Sequence, residues 1–296
     1  MNKAAKDIAA SVRARLLAVA KAQGVDFNQV LVRFALERML YRLSVSKHAD
    51  NFLLKGALLF ALWYDLPHRP TRDADFLGFG ASDLASIKRT FQNIASIDVE
   101  DDGIRFDPAS ISVEEIRKTA GYAGARVVID ADLAKARCKT QIDIGFGDAV
   151  TPGPLAAVYP VLLAEMPAPR IKTYPTYTVI AEKLHAIALL GMTNSRLKDY
   201  YDLVVLIQRE RERDAIDTDT LATAVAATFA RRGLAVPSEL PIGLTDEFSD
   251  DDSRAKMWSA FLRKNDLAVT PLADAVARIR EYAQPALVLA SKVRRM

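Results

Sequence analysis

Two carboxylates one residue apart, Asp73 and Asp75, stand in the stretch Asp73-Ala74-Asp75-Phe76-Leu77-Gly78-Phe79. The stretch predicts a strand, and the two-residue repeat of a strand turns both side chains to one face. Two anions a few ångströms apart repel by roughly 4 kcal/mol at an effective dielectric of 20. A solvated sheet edge tolerates that repulsion. A divalent cation removes it, and magnesium favours one or two carboxylates completed by substrate phosphates. The pair alone leaves both readings open.

Its surroundings narrow the choice. Gly56-Ala57 precedes the pair by the length of a helix, at a predicted strand-to-helix turn. Backbone N–H groups at a helix start attract anions, and a glycine lets a phosphate come close to the chain. Downstream, Asp143 is flanked by Ile142 and Ile144 in Lys139–Ile144, another predicted strand. Alone, an acid in that position reads as solvent-facing. A glycine turn, a helix, a strand with paired acids and a later strand with a third acid together form the pattern of a nucleotidyltransferase.

The remaining polar residues are less specific. Lys183 beside Glu182 on a predicted helix reads, by itself, as part of a solvated face. Asp199 and Asp202 stand three residues apart, so both can reach Lys198 or Arg196, or cap a helix. His48, His68 and His185 lack metal-ligand spacing, and His185 reads as packed. Tyr200 and Tyr201 read as core and rim residues, Thr71 as a turn residue beside the acids, and Cys138 as inert.

The elements that must position these groups follow from periodicity. Apolar residues at three- and four-residue steps predict helices over 3–22 and 27–43, the second capped by Asp26. Phe52–Leu54 predicts a short strand and Ala57–Trp63 a helix. Leu66-Pro67-His68-Arg69-Pro70 predicts an extended or turning connection. A helix over Ser82–Ile94, capped by Ser82, comes next. Strands are expected at Ile104–Phe106, Ile111–Val113, Gly124–Ile129 and Lys139–Ile144. Thr151 to Pro175 contains six prolines and little periodicity, so it reads as a connector. Helices are expected beyond it at Thr178–Leu190, Lys198–Glu210, Asp219–Arg231, Ser253–Asn265 and Leu272–Ala283. The expected class is α/β (α+β), with residues 1–150 holding N-terminal helices and a mixed-sheet core. Residues 176–296 form a mostly helical portion.

Composition sets the setting. The 296 residues are 50% hydrophobic and 26% charged, which excludes disordered and collagen-like chains. One cysteine excludes an intramolecular disulfide and fits a reducing compartment. No apolar run is long enough to span a membrane, and MNKAAKDIAASVRARL lacks an uninterrupted apolar segment of a signal peptide, so a cytoplasmic protein without a membrane partner is expected. The net charge of +3 hides an uneven distribution: residues 1–60 carry ten Lys/Arg against four Asp/Glu, and 61–110 carry five against nine. Basic ends can steer a polyanion, although solvated helix faces give the same count.

The layout resembles the DNA polymerase β-like nucleotidyltransferases, and more closely the AbiEii/AbiGii toxin family that includes the MenT toxins. Five segments carry the resemblance in the family's order: NFLLKGALLFALWYDLP at 51–67, RPTRDADFLGFG at 69–80, KTQIDIGFGD at 139–148, YTVIAEKLHAI at 177–187 and SRLKDYYDL at 195–203. The resemblance implies a polymerase β-like core and metal-dependent transfer of a nucleoside monophosphate from an NTP. In the MenT branch the acceptor is the tRNA 3′ end, translation is blocked, and a cognate antitoxin relieves the toxicity. It further implies that Asp73, Asp75 and Asp143 hold Mg2+ (or Mn2+), and that Gly56 and Ala57 hold the triphosphate. The resemblance also implies that Lys183 contacts nucleotide phosphates and that Arg196, Lys198 and Asp199, which match its R-x-K-D segment, belong to the site. Ala57 departs from the serine or glycine usual there; it keeps the backbone N–H and lacks a hydroxyl. Two other readings stay open: a protein or small molecule as acceptor, and a catalytically silent NTP-binding regulator, which Ala57 favours.

Overall fold

Alternating residues decide which face of the sheet is dry. Ala125, Val127, Ile142, Ile144, Ala74 and Phe76 are each no more than 1% exposed and lie on one face, while Arg126, Gln141, Asp143, Asp73 and Asp75 lie on the other. The computed structural model describes residues 3–64, 71–117, 123–213 and 216–292. Its element order is α1 (Lys3–Gln23), α2 (Phe27–Ser44), β1 (Phe52–Lys55), α3 (Leu58–Tyr64), β2 (Asp73–Gly78), α4 (Leu84–Ala95), β3 (Ile104–Phe106), β4 (Ser112–Arg117), β5 (Ala123–Leu133) and β6 (Ala136–Phe146). β7 (Leu155–Val158), β8 (Arg170–Thr173), α5 (Thr176–Leu190), α6 (Leu197–Arg213), α7 (Thr218–Arg231), α8 (Asp246–Ser249), α9 (Asp252–Lys264) and α10 (Leu272–Lys292) follow.

The chain divides into two compact units. The first comprises Met1–Gly147 and Leu155–Thr173, the second Asp148–Pro154 and Tyr174–Met296.

The first unit is a mixed sheet in the order β3-β5-β6-β2-β1-β8-β7, with β4 also pairing β5. β2 runs parallel to β6 and antiparallel to β1. Helices α2 and α4 pack on the apolar face, where Phe91 of α4 meets Phe52 edge-on at 5.6 Å, and Phe52 meets Phe76 at 5.8 Å. Asp26 caps α2 as expected, its side chain accepting from the Asn28 N–H at 2.8 Å. The cap of α4 is Asp83, not Ser82: its carboxylate accepts from the Ser86 N–H at 2.8 Å, and the helix starts at Leu84.

The basic surplus of residues 1–60 is partly internal. Arg38 is fully buried and donates to the Pro167 carbonyl at 2.9 Å, while its neighbour Glu37 accepts from the Leu162 N–H at 2.7 Å. Arg42 grips Asp102 through two hydrogen bonds, at 2.7 and 3.2 Å. Lys55 is 6% exposed. These cations hold the unit together, so the sequence count overstates the charge facing solvent.

The proline-rich stretch carries regular structure that the sequence reading omitted. β7 and β8 form a hairpin within it, and β8 extends the sheet parallel to β1 through Leu54 and Thr173. Prolines 160, 167 and 169 all fall between these strands, so the connection bends and the ladder is spared. β5 and β6 also run to eleven residues each, past the apolar runs that marked them, because a tight turn at Ala134-Lys135 lets them pair along their whole length. The expected connection over 66–70 lies outside the described residues.

The second unit is helical. α5, α7 and α10 pack together with α6, burying Ile180, Leu184, Val225, Phe229, Val276 and Ile279. α10 continues through Pro285 to Lys292, past the end expected at Ala283. Arg232, just beyond α7, reaches Asp148 at 3.0 Å and Glu182 at 2.8 Å, tying the 148–154 segment to α5. Among the described residues no helix is long and apolar enough to cross a membrane.

Candidate functional site

Strand register lines up a charged row across five strands of the first unit. Glu114 pairs with Arg126 between β4 and β5, Arg126 with Asp143 between β5 and β6, Asp143 with Asp75 between β6 and β2, and Asp75 with Lys55 between β2 and β1. Register partners on neighbouring strands share a face, so these five side chains stand side by side. Signs alternate everywhere except at Asp143 and Asp75. Asp73 lies two residues from Asp75 on the same strand and face.

The glycine turn closes on this row. Gly56 has φ +73°, and a Cβ built on it would stand 2.9 Å from both Cβ and Cγ of Asp75. A side chain there would both strain the backbone and strike the carboxylate. Gly56 and Ala57 then open α3. Thr71 donates its hydroxyl proton to Asp73 Oδ1 at 2.7 Å, fixing that carboxylate from the side.

Asp143 is 7% exposed and bound by a two-point fork: Arg126 Nε donates to Oδ1 at 2.9 Å and Nη2 to Oδ2 at 2.8 Å. This hydrogen bonding raises the Arg126 pKa against the opposing effect of burial, and the Asp143, Glu114 and Asp73 charges add to the rise. Among the described residues no set of three or more acidic, histidine or cysteine side chains is grouped to hold a metal ion. Asp73 and Asp75 supply hard oxygen donors on one face, which fits a magnesium-type cation completed by phosphate or water.

The second unit contains its own polar cluster. Lys183 Nζ donates to Asp199 Oδ1 at 3.0 Å and to Asp202 Oδ2 at 2.7 Å, and Arg196 Nε pairs with Asp199 Oδ2 at 2.8 Å. The lysine side chain is 14% exposed, so the solvated-face reading of this residue is wrong. Burial by itself would lower the Lys183 pKa; the Asp199 and Asp202 charges outweigh it, and the net shift is upward. Helical spacing explains the clamp, since Asp199 and Asp202 sit three residues apart on α6 and present to one side. Lys198, on the same helix, is exposed.

Of the other residues singled out in the sequence, His185, Tyr200 and Cys138 are structural, and His68 lies outside the described residues. His185 is buried against Phe229 with ring centroids 5.0 Å apart, and burial, aided by Arg232, brings its pKa down to about 4. Tyr200 stacks on Phe248 and donates to the Gly243 carbonyl at 2.9 Å. Burial pushes the Cys138 thiol up to about 11, leaving little thiolate. Sequence reasoning missed Arg126 and Lys55 in this row. The available signal was a lone cation inside an apolar β pattern, and only pairing register gives it a partner.

A mixed α/β unit with helices on one sheet face and paired acids beside a glycine turn on the other is laid out as a nucleotidyltransferase. The chain belongs to the family described as nucleotidyl transferase AbiEii toxin, type IV TA system, whose model matches residues 38–284. No curated protein matches it significantly. Among solved structures it is similar to a candidate nucleotidyltransferase from H. pylori, with 17% identity, a TM-score of 0.48, and coverage of 88% of this chain and 96% of that one. JHP933 from Helicobacter pylori is similar at 16% identity and a TM-score of 0.48, with 88% of this chain and 90% of that one covered.

Proposed function

We propose that this protein transfers a nucleoside monophosphate from an NTP to the 3′ acceptor end of tRNA, so that translation stops until a cognate antitoxin counters it. The observation that carries the reading is the Asp73–Asp75 pair on one sheet face, set directly against the Gly56 turn. Membership of a nucleotidyltransferase toxin family supports it.

Asp73 and Asp75 would hold Mg2+ or Mn2+, which when bound polarises phosphoryl oxygens and lowers the pKa of an attacking hydroxyl. Thr71 keeps Asp73 oriented. Gly56 and Ala57 offer backbone to the triphosphate, with no side chain of Gly56 in the way. In the second unit, Asp199 and Asp202 keep Lys183 protonated and in place, and the family resemblance assigns this lysine to nucleotide phosphates. Asp143 is the third acid of the reading and rests in the Arg126 fork. The reaction belongs in the cytoplasm, where NTPs and tRNA are found together.

Ala57 favours a second reading, a catalytically silent NTP-binding regulator, because the turn lacks a hydroxyl to grip the triphosphate. One experiment separates the two. The purified protein is incubated with each NTP, labelled at the α-phosphate, together with Mg2+ and total tRNA. Label on tRNA that disappears with Asp75→Ala supports the transferase. Label on protein or a small molecule changes the acceptor, and NTP binding without transfer favours the regulator.

A further inference from the structure

In the charged row Asp143 is gripped at both oxygens. Both oxygens of Asp143 accept from Arg126, at 2.9 and 2.8 Å, while its register partner on the other side is Asp75. Asp143 therefore faces a cation on β5 and an anion on β2. Arg126 in turn has a second acid within reach: its Nη1 lies 4.0 Å from Glu114 Oε1, and the Glu114 side chain is 67% exposed. The Arg126 side chain itself is 33% exposed, so it has room to turn.

Charge determines how many cations the row accepts. Glu114, Arg126, Asp143, Asp75, Asp73 and Lys55 together carry a net charge of minus two, which one divalent cation neutralises. A second divalent cation drawn to Asp143 would meet the guanidinium that already holds both of its oxygens, and like charges repel. The guanidinium and a second cation thus compete for Asp143.

We propose that Arg126 is a positioning residue that withholds Asp143 from cation binding, so that the resting site takes one divalent cation, and that Glu114 receives the guanidinium when a second cation claims Asp143. The proposal rests on the reading of Asp73 and Asp75 as cation ligands. It adds a stepwise order: the two-carboxylate site fills first, and the third carboxylate becomes available only by exchanging partners.

The test counts Mn2+ bound to the full chain without nucleotide, by electron paramagnetic resonance titration of free Mn2+. Wild type is expected to bind one Mn2+ per chain, with a second only at higher concentration. Arg126→Gln should bind two, and Arg126→Gln combined with Asp143→Asn should return to one. Glu114→Gln, an exposed substitution that leaves the fork intact, should raise the concentration at which wild type takes its second ion. A purely structural fork would not move that value. If Arg126→Gln melts early, Arg126→Lys, which keeps the charge and loses the two-point grip, should bind its second Mn2+ more tightly than wild type. Unchanged number and affinity in the Arg126 variants, with Asp75→Asn abolishing the first site, would overturn the role of Arg126 and leave the metal reading standing. Absence of any Mn2+ site sensitive to Asp75→Asn would overturn the metal reading and this proposal with it.

Discussion

Gly56 and Asp75 occupy one space. The turn that leaves β1 passes so close to the second acid of β2 that a single added carbon at Gly56 would meet Asp75 Cβ and Cγ at 2.9 Å. Gly56→Ala is therefore expected to displace the carboxylate and to strain a backbone held at φ +73°. Mn2+ affinity and nucleotide transfer should each fall by at least about tenfold, as when a ligand's support is removed. Titration of bound Mn2+ beside a transfer assay checks this.

Ala57 points to the opposite kind of change. Ala57→Ser adds a hydroxyl next to the turn while keeping the backbone N–H, and one added hydrogen bond is worth about 1 kcal/mol. NTP affinity should rise about fivefold, measured by calorimetric titration. An unchanged affinity would mean that the triphosphate does not lie against residue 57.

The Lys183 clamp predicts a stability effect that is independent of activity. Lys183→Ala would leave Asp199 and Asp202 buried side by side without their shared cation, and breaking such a group costs about 3 kcal/mol. Because the folded pKa of Lys183 lies above its ordinary 10.5, its stabilising contribution is fully present below that value and is lost as pH rises through the folded pKa. Urea melts of wild type should accordingly show the contribution intact at neutral pH and fading only in strong alkali. The Lys183→Ala melts should lack that alkaline loss.

His185 gives a pH dependence of the other sign. Its folded pKa of about 4 lies below the ordinary 6.5, so the unfolded chain takes up the proton first. Stability is full above pH 6.5 and declines as pH falls towards 4. His185→Leu removes the titrating group and should flatten the urea midpoint across that interval, whereas wild type should show a decline.

What could be read from residues alone followed local rules. The spacing of Asp73 and Asp75 puts them on one face whatever else the chain does, because strand periodicity is a property of the backbone. Asp26 caps its helix through a contact two residues away, and the helical stripes of α5 and α7 follow from 3.6-residue periodicity. These features depend on neighbours in sequence, as do the motifs that marked the family.

Tertiary structure decided everything that depends on register. Arg126 lies 17 residues from Asp143, and Glu114 lies 29 residues from it; a one-residue slip in β5 would send the guanidinium into the apolar face. The burial of Arg38 and Arg42 likewise required partners brought in from distant segments, so a count of basic residues could not reveal it. The chain by itself determined that two carboxylates share one strand face downstream of a glycine turn. Only the folded sheet determined which cation holds the third, because an ion pair exists where strands meet and sequence does not record their alignment.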